Sequence, residues 1–406
     1  MFIERHISAA LKDMKGSFPA VLVTGPRQVG KTTLLKKYLG DIAYHTLDDY
    51  VLLDSIKKDA IGFISANDPP LIIDEIQYAP EITRAIKLAV DKKGKNGEYF
   101  LTGSQQFRMM KDVSESLAGR IGILNLSGLS AREIDNDGFS DPFIPTDEYY
   151  AKRSRTVKEL NIRELWTRIH KGCMPKMYDG TEERWEQYYS SYVKTYIERD
   201  IRSLTQVGDE LAFMQFLTSC AARTGELLNM ANIAKDVGIS EPTVRRWLSV
   251  LQASSIVYLL QPFSANITSR VVKMPKLYFM DTGLAAYLCK WLTPETLEKG
   301  AMAGNFFETY AIAEIIKSYQ NAGKEPPVYY YRDSEKHEID VLIYQNGTLY
   351  PIEIKRTSSP DARDIRHFGT LKRSTSLEVG KGALICTYDK VLSLNENGKT
   401  VPINHI

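Results

Sequence analysis

The sequence predicts an α/β protein of several domains, and three observations predict it. The apolar run Ala20-Val21-Leu22-Val23 leads through a glycine-rich turn into a helical stretch. A second apolar run, Leu71-Ile72-Ile73, ends in the paired carboxylates Asp74 and Glu75. The C-terminal part reads as helix and strands in the order α-β-β-β-α-β, with acids on the strands. At 406 residues the chain is too long for one ordinary core.

The first element has the most specific chemistry. TGPRQVGKTT, residues 24–33, carries the spacing G-x-x-x-x-G-K-[ST], between a strand pattern and a helix that Gly40 ends. Such a turn aims consecutive backbone N–H groups at a polyphosphate, and the following helix adds its positive N-terminal end. Gly25, Pro26, Arg27, Gln28, Val29, Gly30, Lys31, Thr32 and Thr33 are therefore the expected ATP-binding residues. Lys31 would reach the β- and γ-phosphates, and the Thr32 hydroxyl would hold Mg²⁺. In the second element Asp74 would bind the Mg²⁺ shell. Glu75 would be aimed at the attacking water, which argues for hydrolysis as well as binding.

The strand Glu98 to Gln105 ends in small polar residues, of which Ser104 and Gln105 are candidates for the γ-phosphate or the lytic water. Arg120 in Ser116-Leu117-Ala118-Gly119-Arg120 has three readings: a phosphate contact in its own site, one in a neighbouring copy's site, or a surface salt bridge. The phosphate loop, Leu71 to Gln77, Leu101 to Gln105 and Ser116 to Arg120 together resemble the AAA-type prokaryotic ATPases that carry a C-terminal domain of unknown function. The resemblance spans nearly the whole chain. It implies an AAA+-like core with Asp74 and Glu75 as the Walker B pair, and it supplies no cellular role.

Residues 135–147 are rich in Asp, Gly, Ser and Pro and read as a boundary. A helix over 159–171 follows, with an apolar stripe through Leu160, Ile162, Leu165, Trp166 and Ile169, and then a longer helix over 182–204. Its tyrosines, Tyr188, Tyr189, Tyr192 and Tyr196, read as a packing face rather than as base-stacking platforms. Residues 230–254 read as helix, tight turn and helix, with Ala234, Gly238 and Ser240 as small residue, turn glycine and N-cap. Val244, Trp247, Leu248 and Leu251 form the inner stripe of the second helix, leaving Thr243, Arg245, Arg246 and Ser249 outside. With β-rich stretches over 256–262 and 276–279 the pattern is that of a winged helix. Arg245 and Arg246 are then candidate DNA contacts, joined from the wing by Arg270, Lys273 and Lys276. The same module could instead pack on another domain with its charges merely solvated.

The C-terminal pattern begins with an amphipathic helix over 304–322 carrying Glu308. Strands over 328–332, 338–344 and 348–356, a helix near 361–371 and a strand over 383–388 complete it, with an Asn346-Gly347 turn. Glu353 and Lys355 alternate to one face of their strand, next to Asp340 on the neighbouring one. This looks like the PD-(D/E)XK nuclease fold, with Glu353-Ile354-Lys355 as its E-x-K element and Glu308 as the helical acid. Asp340 and Glu353 would hold Mg²⁺, and Lys355 would polarise the attacking water. The pattern departs from the motif in having no proline before Asp340 and Arg356 after Lys355. His337, close by, is either a proton carrier or a solvated loop residue.

Composition sets the remaining bounds. The net charge of +2 gives no global field toward nucleic acid, so any basic surface is local. Four scattered cysteines and six histidines form neither a C-x-x-C nor an H-x-x-x-H pattern, which implies a reducing compartment and no structural zinc. With neither a signal peptide nor an apolar run of membrane-spanning length, the expectation is a cytoplasmic protein without a membrane partner. The expected architecture is an α/β chain of four parts. They are a P-loop AAA+-like ATPase domain over 1–135, a helical connector or lid over 136–215, a winged-helix domain over 216–290 and a restriction-endonuclease-like α/β domain over 300–406. The expected function is an ATP- and Mg²⁺-dependent ATPase acting on DNA, possible as a homo-oligomer. The alternative is a regulatory or scaffolding ATPase whose C-terminal modules bind a protein partner without nuclease activity.

Overall fold

The computed structural model describes residues 2–103, 116–180, 184–197, 210–264, 274–333 and 335–406. Ala20–Thr24, Ala43–Thr46, Leu71–Asp74, Tyr99–Gly103 and Ile121–Asn125 form β1 to β5, a parallel sheet in the order β2-β3-β4-β1-β5. Successive residues of a strand serve opposite cores: Val21 and Val23 face one apolar cluster, Ala20 and Leu22 the other. That two-sided burial is why these strands read as unbroken apolar runs. Because all five run the same way, the turn after β1 and the acids after β3 emerge at one edge. The helix Lys31–Leu39 begins at Gly30 and stops at Gly40, as the sequence predicts.

Residues 136–146 hold no helix or strand, yet they are not a free linker. Phe143 is fully buried; its N–H donates to Ser318 Oγ (2.9 Å), and its carbonyl accepts from Tyr319 Oη (2.9 Å). The helix Ile162–Lys171 starts on an Asn161–Glu164 capping box and ends at Gly172, φ +80°. Leu165, Trp166 and Ile169 are buried, whereas Ile162 is exposed and drops out of the predicted stripe. The next helix covers Trp185–Tyr192 and passes into a π turn over Val193–Ile197; residues 198–209 lie outside the described residues. Tyr189 and Tyr192 are buried, and Tyr189 Oη bonds Asp281, so these rings pack the interior.

The helix Glu210–Ala221 precedes β6 (Glu226–Leu227), the helices Met230–Val237 and Glu241–Ala253, β7 (Val257–Leu260) and β8 (Lys276–Phe279). The three strands pair antiparallel as β6-β8-β7. Gly238 adopts φ +76°, and Ser240 Oγ accepts from Thr243 N, so turn and cap fall where the sequence places them. Val244, Trp247, Leu248 and Leu251 are buried.

The helix Ala303–Asn321 leads to β9 (Val328–Arg332), β10 (Glu338–Gln345), β11 (Thr348–Lys355), the helix Arg366–Ser374, β12 (Glu378–Val379), β13 (Gly382–Cys386), β14 (Ser393–Asn395) and β15 (Gly398–Pro402). They form a seven-stranded sheet in the order β14-β15-β13-β11-β10-β9, with β12 alongside β11. The α-β-β-β-α-β succession is present, and Asn346 and Gly347 at φ 52° and 83° fit a type I′ hairpin. The helix Ala303–Asn321 is not amphipathic as its pattern suggests, but buried on nearly every side. Its polar residues face protein. Lys317 Nζ donates to Leu129 O (3.1 Å) and Glu314 Oε1 (2.9 Å), while Glu314 Oε2 accepts from Ala131 N (2.7 Å). This helix is a strut between the parallel sheet and the C-terminal sheet. Gln261 and Phe263, just beyond β7, pair with Tyr330 of β9 and join the two antiparallel regions. Among the described residues no helix is long and apolar enough to cross a membrane.

Candidate functional site

The turn after β1 can be built only on glycine. Gly25 has φ +142°, and a Cβ there would lie 2.1 Å from the Leu126 carbonyl oxygen. Gly30 has φ +94° and caps the helix that carries Lys31 and Thr32. The buried Lys31 curls back so that Nζ donates to Gly25 O (3.1 Å) and Pro26 O (2.8 Å). Thr32 Oγ1 lies 3.0 Å from both Asp74 carboxylate oxygens. The expected Mg²⁺ ligands, forty-two positions apart in sequence, are thus in contact at the sheet edge.

Two residues not singled out in the sequence hold Asp74. Tyr44, on β2, donates Oη to Asp74 Oδ2 at 2.7 Å. Burial first, and the Asp74 bond second, push this phenol up to about 12, so it stays a donor throughout the neutral range. Thr102, at the end of β4, donates to Asp74 Oδ1. Glu75 adopts φ 60°, ψ 47°, a left-handed conformation that costs a non-glycine residue about 1–3 kcal/mol. Thr102 accepts the Glu75 N–H at 3.3 Å, and Gln77 Nε2 donates to Glu75 Oε2, leaving Gln77 Oε1 buried with no partner among the described residues. Strain, brace and orphaned acceptor concentrate at the residue expected to handle water.

Arg5 is a third residue sequence reading passes over. It is buried, donating Nη1 to Val29 O of the loop (2.8 Å), Nη2 to Ser127 O (2.7 Å) and Nε to Glu133 Oε1 (3.1 Å). Ser130 and Glu133 form a capping box, and neighbouring Ala131 binds Glu314 of the strut helix. A lone arginine near the start of a chain carries no motif, so only the fold reveals it.

Arg120 is not brought to this site. Its carbonyl accepts from Ala20 N at the start of β1, the opposite end of the strand, and its guanidinium pairs with Asp91 (2.5 Å) on the surface. Five residues of strand, about 16 Å, separate it from the loop. Ser104 and Gln105 lie outside the described residues.

The C-terminal acids do come together, around a cation the sequence assigns elsewhere. Lys276 is buried on β8, with Nζ 2.5 Å from Glu338, 3.5 Å from Glu308 and 3.8 Å from Asp340. It is therefore not a phosphate contact on a wing. Tyr278, two residues on and facing the same way, donates to Glu308 Oε1 at 2.5 Å. Glu353 shares a hydrogen bond with Asp340, and Asp340 Oδ2 accepts from Ile354 N at 2.9 Å. Burial, then the charge of Asp340, raise both Glu308 and Glu353 above the usual carboxylate range. Glu308, Asp340 and Glu338 outweigh the burial cost at Lys276 and hold its ammonium charged.

Lys355 does not address the acids but pairs with Asp364 at 2.8 Å. The expected Mg²⁺ pair Asp340 and Glu353 is not arranged as a metal site: among the described residues no group of three or more His, Cys, Asp or Glu is disposed to hold an ion. Asp340 instead shares a hydrogen bond with Glu353 and meets the Lys276 ammonium at 3.8 Å. His337 bonds Asp333 (2.8 Å), its ring against His367.

On the helix Glu241–Ala253, Arg245, Arg246 and Ser249 are exposed, and neither arginine has an acidic partner among the described residues. Arg270 and Lys273 fall outside the described residues.

Comparison with known proteins agrees with the N-terminal geometry. Residues 17–135 match the family described as an AAA domain. The segment that holds the turn after β1, Asp74 and Glu75 is thus similar to AAA domains. Residues 162–295 and 303–406 match families described as domains of unknown function, DUF8612 and DUF4143. The chain is 27% identical over 409 residues to an uncharacterized protein of Mycobacterium tuberculosis, a match spanning 100% of this chain and 85% of that one. An uncharacterized protein of Mycobacterium bovis matches with the same figures. Among solved structures, the Walker-type ATPase PABY2304 of Pyrococcus abyssi aligns at a TM-score of 0.47 and 14% identity over 71% of this chain and 96% of that one. RuvB of Thermotoga maritima aligns at 0.30 and 16%, over 62% and 87%.

Proposed function

We propose that this protein binds and hydrolyses Mg²⁺-ATP at the N-terminal loop and uses the nucleotide state to control how its C-terminal half holds DNA. The observation that carries the hydrolytic part is the contact of Thr32 with Asp74, beside a strained Glu75. Residues 25–33 would wrap the phosphates, and Thr32 and Asp74 would hold Mg²⁺, which neutralises charge on the phosphate oxygens. The loop fits this role because Gly25 and Gly30 at positive φ and the buried lysine are already in place. Glu75 accepts the proton of, or orients, the attacking water. Lys31→Ala should weaken ATP binding more than a hundredfold, about 3 kcal/mol, by isothermal titration. Unchanged affinity would remove Lys31 from the site.

The DNA part is supported by the winged-helix order of helices and strands over 210–279 and by the exposed Arg245 and Arg246, which have no acidic partner among the described residues. In this reading the second helix contacts the duplex, chiefly at phosphates. The measurement is duplex affinity against salt concentration. Wild type should show a steep negative slope, and Arg245→Ala/Arg246→Ala should flatten it by about 2, near 0.9 for each phosphate that is no longer neutralised. A slope identical to wild type would displace DNA from this helix. The closed acid cluster favours a C-terminal half that grips without cutting, so the restriction-endonuclease-like fold serves here as a clamp. It also keeps alive a second reading, in which the same modules bind a protein partner. Absence of DNA affinity at low salt would select that reading.

A further inference from the structure

Lys276 comes from the three-stranded sheet, whereas every carboxylate around it belongs to the helix Ala303–Asn321 or to the C-terminal sheet. Its position is built. β8 is the central strand of its sheet, buried along its length, and the alternation of the strand sends Lys276 and Tyr278 to one side together. Tyr278 fixes Glu308, and the Tyr330 ring lies 5.9 Å from the ammonium. The nitrogen stands within 4 Å of three carboxylates, where a divalent ion gathering the same oxygens at about 2.0–2.6 Å would have to sit. A lysine charge and a metal charge cannot share that volume.

We propose that Lys276 is the resident cation of the C-terminal carboxylate cluster, an autoinhibitory plug that keeps the cluster closed to divalent metal. Because β8 pairs with β7, which follows directly on the helix bearing Arg245 and Arg246, a partner engaging that helix acts on the same unit as the plug. The proposal rests on the nuclease-like reading of the cluster, but not on ATP turnover or on DNA binding.

The test reads metal directly, so its failure is separate from failure of that reading. Mn²⁺ binding is measured without nucleotide, by electron paramagnetic resonance, in four full-length proteins: wild type, Asp340→Asn, Lys276→Met and Lys276→Met/Asp340→Asn. Any ion held at Asp74 is common to all four and cancels. Wild type and Asp340→Asn should bind equally. Lys276→Met should gain one ion per chain, at least tenfold tighter than anything wild type shows beyond the shared background. Adding Asp340→Asn should abolish that gain. A Mn²⁺ ion in wild type that Asp340→Asn removes would overturn the plug, whether or not Lys276→Met folds. So would a folded Lys276→Met that gains no ion. Lys276→Arg, which keeps the charge, should stay metal-free; an ion gained there would also overturn it.

Discussion

Glu75→Gln should bind ATP as tightly as wild type and turn it over about 10²- to 10⁴-fold more slowly, the range expected when a positioned base is lost. Glutamine keeps the shape and still reaches Gln77, but it cannot take up a proton. The fold gives the expectation its force. A left-handed Glu75 is braced by Thr102 through its N–H and by Gln77 through its carboxylate, immediately after the residue that contacts Thr32. Nucleotide titration together with steady-state phosphate release checks both halves. Wild-type turnover would remove Glu75 from the reaction. Loss of binding would mean that the substitution had disturbed the loop instead.

Arg5→Ala should destabilise the fold by about 3–5 kcal/mol in urea denaturation, because it strands the fully buried carboxylate of Glu133. It should also weaken ATP binding, since the Val29 carbonyl loses its donor and the loop loses a brace. The two effects have one cause. Arg5 ties the phosphate loop to the segment after β5, and that segment is bonded to Glu314, Lys317 and Gln320 of the strut helix. The same helix carries Glu308 toward its other end. A change of less than 1 kcal/mol would mean that Arg5 is solvated rather than structural.

What could be read from the sequence follows the range of the interactions involved. The phosphate loop, the strand ending in Asp74, the helix over 230–237 and the Asn346-Gly347 hairpin depend on neighbours in sequence, and each stands where its pattern puts it. The stripe through Val244, Trp247, Leu248 and Leu251 was equally legible, because one helix period decides it. Long-range polar contacts were not. Glu314 and Lys317 suggest a solvent face for the helix Ala303–Asn321, yet besides pairing with each other they bond residues 129 and 131, contacts that no helical period can reveal. Residues 135–147 look like a linker by composition but are fastened through Phe143 and the buried ion pair of Asp137 with Arg153. Lys276 shows the limit most plainly. A lysine on a short strand reads as surface charge, and only the packing of two sheets turns it into the counter-ion of Glu308, Glu338 and Asp340.

In the proposed function the N-terminal nucleotide state governs the grip of the C-terminal half on DNA, and duplex affinity read in two nucleotide states tests that coupling. The affinity of Glu75→Gln protein for a fluorescent duplex is compared, by anisotropy at fixed salt, without nucleotide and with saturating Mg²⁺-ATP. A coupled protein should show dissociation constants differing by at least fivefold, the lower end of ordinary coupling between two sites. Equal constants in the two states, or no duplex binding in either, would rule out coupling between the nucleotide site and a DNA grip.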